Sequence, residues 1–139
     1  MSSTRRIGYV TIANGASLSD AYEIGDHETL TGIIVPAFTS AVVTLAAGIP
    51  TTTEPAYLWA GPNGTTEYRD GLSYVPVTVA QGTTTVEWTT TATTGGVYLA
   101  IDGRALNGVG FVRVRSGTNA AAVNQGAERL IGLVTTNIA

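Results

Sequence analysis

The chain predicts an all-β fold: a jelly-roll-like antiparallel β-sandwich of about eight or nine strands. Three observations carry that prediction. Apolar residues recur with period two in short runs along the chain, the spacing that lines one face of a strand. Thr makes up roughly one residue in six and there are 17 Gly, so strand formers and turn formers dominate. Turn signals interrupt the runs at short intervals, and uneven connections over 47–56 and 116–128 favour a jelly roll over an up-and-down barrel.

In order along the chain, IGYVTIA and ASLSDAYEI flank Asn14-Gly15. An Asn-Gly between alternating segments is a strong hairpin signal, because a type I′ turn needs positive φ at both central residues. In SLSDAYEI, Leu18, Tyr22 and Ile24 share a face on which Asp20 is a misfit. LTGIIVP holds the continuous apolar run Ile33 to Val35, expected of a central strand. AVVTLAAG follows, then AAGIPTTTEPAY, whose two Pro mark an exposed extended loop. VPVTVA aligns Val75, Val77 and Val79; TVEWT sets Val86 and Trp88 opposite Glu87. VYLAID has Val97, Leu99 and Ile101 as an inner row, FVRVR turns Val112 and Val114 inward, and RLIGLVTT closes the chain. PNG at 62–64, QG at 81–82 and GG at 95–96 are further turns, and DGRALNG at 102–108 is the one helix-like piece, long enough for a crossover turn. Residues 1–6 are expected to form a flexible arm ahead of a single domain over 7–139.

Composition excludes several function classes. The 139 residues suit one domain with a real core. Cys is absent, so neither a disulfide framework nor a thiolate site is available. Net charge is -3, charged residues are 12%, and all seven basic residues are Arg. No basic stripe is present for nucleic acid. Nor is there an apolar run of the roughly 18 residues that a membrane helix needs, and MSSTRRIGYV has no apolar signal core behind its Arg pair. Arg without Lys suits planar pairing with carboxylates across interfaces, although codon bias also explains it.

Chemistry-bearing groups are sparse. The single His, His27, stands at a turn in EIGDHETL with no nucleophile motif near it. Glu23, Asp26 and Glu28 cluster in sequence, as do Glu67 and Asp70 around Arg69. Paired carboxylates need a shielded cleft to shift a pKa, and Asp26 with Glu28 lacks calcium-loop spacing. The glycines of GGVYLAIDG and GRALNGVG lack a phosphate-loop Lys. The reading is therefore no catalytic residue, no cofactor and no metal. Trp88 belongs with core residues; Trp59, just before a loop, is a candidate interface anchor, strand-end plug or sugar platform.

Arg113 and Arg115 share a strand face with Phe111, opposite Val112 and Val114. Two readings stand: surface ion pairs worth about 0–1 kcal/mol each, or a subunit interface in which guanidinium forks meet a neighbour's carboxylates. The interface reading takes in Arg5 and Arg6 of the arm, Trp59, and Phe111, Arg113 and Arg115, with Ala120 to Val123 lying flat on a neighbour.

TIANGASLSDAYEIGDHETLTGIIVPAF near the start and FVRVRSGTNAAAVNQGAERLIGLV near the end resemble small virion proteins of tailed bacteriophages. Their opening pattern falls on Asn14 to Gly25 and Leu30 to Ala37, and their closing pattern on Arg113 to Arg129. The matching positions are turn and packing residues, and the middle, Thr39 to Gly96, matches only in being β-rich. The resemblance implies a capsid decoration, or cement, protein: a small β-sandwich, often a homotrimer, that binds the major capsid protein on the head exterior after synthesis in the host cytoplasm. A tail, neck or baseplate component, or a receptor- or carbohydrate-binding module, is the alternative it leaves. It transfers no ligand-binding residue.

Overall fold

The computed structural model describes residues 5–25, 28–50, 72–78, 84–89, 96–101 and 109–137. Nine strands run through them: β1 (Arg5–Ile12), β2 (Tyr22–Glu23), β3 (Glu28–Val35), β4 (Val42–Pro50), β5 (Leu72–Pro76), β6 (Trp88–Thr89), β7 (Val97–Ala100), β8 (Phe111–Ser116) and β9 (Arg129–Asn137). They form two antiparallel sheets, consistent with the expected β-sandwich. One sheet has the order β1-β9-β3-β7; the other has β2-β8-β4-β5, with β6 also pairing β4. The pairs nest: β1 with β9, β2 with β8, β3 with β7, β4 with β5.

Both sheets turn one face into a common core. Val10, Ile12, Leu30, Ile33, Ile131 and Leu133 come from the first sheet, and Val43, Leu45, Val112 and Val114 from the second. Except on β3 these are the period-two residues of their strands, and burial of each such side chain is worth about 1.5–3 kcal/mol. Val86, Trp88, Val97, Leu99 and Ile101 pack at its margin, on the inward side expected of them. Phe38 fills the core from the β3–β4 connection. Tyr22 crosses from the second sheet to lie over Gly8 of the first, where a Cβ would collide with its ring.

Strand β3 is central, as its apolar run implies, but it is not regular. Leu30 opposes Thr135 and Gly32 opposes Val134, so Thr31 is an extra residue. A bulge of this kind shifts the pleat by one. Leu30, Ile33 and Val35 all point inward because of it, which strict alternation forbids.

Three expectations change. The Asn14-Gly15 turn is present: the Ala16 N–H donates to the Ala13 carbonyl at 3.0 Å and Gly15 has φ 83°. It is not a hairpin, since β1 pairs with β9 and β2 with β8. Both flanking segments must cover the core from opposite sheets, so the turn carries the chain across. Ala46 to Pro50, expected to open an extended loop, pair with β5 instead, and the rest of that stretch lies outside the described residues. Arg5 and Arg6 are not an arm: they lie in β1 opposite Thr136 and Thr135. Trp59, His27, Asp26, Arg69 with its flanking carboxylates, the turns at 62–64 and 81–82, and the helix-like 102–108 lie outside the described residues.

Gly117, in the expected R-S-G-T stretch, has φ 87°, and a Cβ there would lie 2.7 Å from the Val123 nitrogen and closer still to the Ala121 carbonyl. Gly117→Ala combines left-handed strain with a backbone clash. It is expected to cost about 2 kcal/mol or more, a Tm loss of roughly 8 °C by scanning calorimetry.

Candidate docking surface

Two of the four Arg residues singled out in the sequence, Arg6 and Arg113, are occupied within the chain. Arg6 grips Glu28 with two bonds, Nε to Oε2 at 3.0 Å and Nη2 to Oε1 at 2.6 Å. It also reaches the Glu23 carbonyl at 3.2 Å and lies 5.2 Å from the Tyr22 ring centroid. Arg113 donates from Nε to the Ser19 carbonyl at 2.7 Å and sits over Tyr74 at 5.1 Å. Arg115 is half-buried opposite Thr44 and bridges to Leu18 through the backbone. Arg5 is exposed.

Phe111 corrects the interface expectation. It faces away from Val112 and Val114 yet is 5% exposed. Thr44 and Ala46, on the same outward side of β4, are 1% and 0% exposed. The outer face of the second sheet is therefore covered within the chain around Phe111, and a buried ring cannot anchor a neighbour.

The Glu28 carboxylate is held by Arg6, by the Gly25 N–H at 2.8 Å and by the Thr135 hydroxyl at 3.1 Å. Hydrogen bonding from Arg6 is the main cause that lowers its pKa from 4.5 to about 2, against the opposing effect of burial. The folded value lies below the unfolded one, so this stabilisation is complete above pH 4.5 and disappears as pH falls through about 2. Glu28→Gln is expected to lower Tm at neutral pH, with the gap to wild type closing between pH 4.5 and pH 2. The same commitments leave Glu28 poorly placed to ligate calcium. Among the described residues no three His, Asp or Glu side chains converge as a metal site.

The loop over 117–128 is scaffold. Gln125 is 1% exposed and its amide makes four hydrogen bonds. Oε1 accepts from the Thr39 N–H at 2.8 Å and Arg129 Nε at 3.0 Å. Nε2 donates to the Thr39 carbonyl at 3.1 Å and Ser116 Oγ at 2.7 Å. Its backbone binds the first turn, with bonds from Gly15 N to its carbonyl and from its N–H to the Ala16 carbonyl. One residue thus ties together three segments: its side chain holds the β3–β4 connection and the ends of β8 and β9, and its backbone holds the 13–16 turn. Ser19 does the same for β8: its N–H donates to the Val114 carbonyl, and its hydroxyl accepts from the Val114 N–H at 2.9 Å. Ala120 to Ala122 are exposed on this loop.

The open surface is elsewhere, on the outer face of the first sheet. Ile7 (50% exposed), Tyr9 (57%), Ile34 (36%), Tyr98 (57%) and Leu130 (56%) all project from it. Tyr9, Gly132, Ile34 and Tyr98 form one row across all four strands. Tyr98 folds over Gly32, and Ile34 and Tyr9 close over Gly132, which keeps the face low and flat. Four strands at about 4.8 Å spacing and roughly 26 Å of β1 give on the order of 500 Å² in projection. That is within the roughly 300–600 Å² of the largest apolar patch on an ordinary monomer, often a functional one. Arg5 is the one charged side chain on its row of β1, and no carboxylate shares the face among the described residues.

Sequence reasoning missed this face although a signal was present. IGYVTI and RLIGLV are apolar at both parities, whereas a half-solvated strand alternates. The chain is an all-β protein of two antiparallel sheets, with an exposed apolar face on the first. No protein-family model matches the chain and no curated protein matches it.

Proposed function

We propose that this chain is a structural virion protein of a tailed bacteriophage, which binds the major capsid protein on the head exterior and stabilises the shell. The observation that carries this reading is the flat, apolar, nearly uncharged outer face of the β1-β9-β3-β7 sheet. A surface of that kind recognises another protein by shape and apolar burial, and it offers no groups arranged for bond making. Contacts of modest strength suffice on a shell, because the lattice repeats them many times.

Two further observations support the reading. The positions that carry the resemblance to phage virion proteins include Gly15, Ser19, Asp20, Gln125 and Arg129, and these hold the sandwich together. The nested pairing of the strands supports the jelly-roll part of the reading, in which one long hairpin folds on itself. Self-association belongs to the proposal.

Co-sedimentation of the purified chain with heads lacking it tests the proposal. Saturable retention with the heads is the expected result. Retention on isolated tails instead would replace the reading with a tail or baseplate role.

A further inference from the structure

We infer that two copies of this chain join edge to edge through β1, so that their first sheets become one continuous sheet. This goes beyond the capsid reading and does not rest on it.

Strand β1 is an edge of its sheet. Asp20 shows which of its backbone groups point outward. The Thr11 N–H donates to Asp20 Oδ1 at 2.8 Å, and the Thr11 carbonyl accepts from the Asp20 N–H at 3.4 Å. Outward backbone groups recur every second residue on an antiparallel strand. Tyr9, Ile7 and Arg5 therefore also present their N–H and C=O to the free edge, while Arg6 turns its carbonyl toward Thr135 of β9. Asp20 blunts one end of the edge, and among the described residues no strand pairs with Arg5 to Tyr9 on that side. Open edges template the addition of another strand.

The side chains choose a second β1 as that strand. In an antiparallel pair centred on Ile7, Arg5 faces the partner's Tyr9, and Ile7 faces the partner's Ile7. Outward-pointing residues then meet outward-pointing residues, so donors and acceptors align. The central pair is apolar, and each flanking pair sets a guanidinium beside a tyrosine ring, a favourable contact. Competing registers are worse. A slip of two residues one way puts Arg6 opposite the partner's Arg6. The opposite slip brings Arg5 to Thr11 of the partner subunit, where Asp20 already occupies the edge. A one-residue slip opposes outward groups to inward ones. The contact gives a count of two where the resemblance implies three, and it doubles the apolar face presented on one side.

Sedimentation velocity of the full chain, with no capsid present, tests the inference. Wild type at about 0.1 mM is expected to be a dimer, a concentration that saturates any Kd of micromolar strength. Ile7→Pro removes only an edge N–H, at a kind of position where sheets tolerate Pro. It is expected to weaken the dimer at least tenfold while leaving the thermal midpoint close to wild type. The chain has no Cys, so Ile7→Cys treated with a short bis-maleimide should link into dimers, whereas Tyr98→Cys, on the far edge strand, should not. A monomeric or trimeric wild type, a dimer unaffected by Ile7→Pro, or equal cross-linking at both positions would overturn it.

Discussion

Gln125→Ala is expected to lower stability by about 3–5 kcal/mol, because each buried polar group left without its partner costs about 1–3 kcal/mol. The variant strands the Thr39 N–H and carbonyl, Ser116 Oγ and Arg129 Nε at once. Against a typical total of about 5–15 kcal/mol this is a large fraction. The loss should read as a Tm fall of roughly 10–15 °C, and as a lower urea midpoint with an unchanged slope, since the same surface is exposed on unfolding. Gln125→Glu should lose less. A carboxylate still accepts from Thr39 and Arg129 and loses only the two donations from Nε2. Equal stability of wild type and Gln125→Ala would mean that the β3–β4 and β8–β9 connections hold their places without this side chain.

Tyr98→Glu combined with Leu130→Glu is expected to weaken retention on heads by at least about 100-fold, since central aromatic and apolar contacts each carry about 2 kcal/mol or more and each 1.4 kcal/mol is tenfold. Both side chains are more than half exposed, so the fold should be unaffected. Far-UV circular dichroism and Tm serve as the control. The two positions lie on β7 and β9, away from the free edge of β1, which separates shell binding from pairing. Undiminished retention by a folded double variant would move the contact off this face.

The strands were legible where one face is buried and the other wet. Val112 and Val114 alternate with Arg113 and Arg115, and they occupy the core as their spacing requires. Which strands pair was not legible, because β1 meets β9 across more than a hundred residues of chain. Asn14-Gly15 specifies a turn, and only the shared core decides that the chain then changes sheets. Asp20 was visible as a misfit, but its reason is Thr11, nine residues back and on another strand. The docking surface was hardest. A pair of Arg beside a Phe on β8 drew attention to the second sheet, where Phe111 and Ala46 are covered. IGYVTI and RLIGLV are apolar at both parities, so alternation alone does not say which face is buried. Three of their apolar residues, Ile7, Tyr9 and Leu130, lie on the open face.

Labelling phage particles prepared from the source of this chain with gold-conjugated antibody against it tests the proposed head location most directly. The account predicts gold spread over the heads. Gold confined to the tail, or none on intact virions, would contradict it.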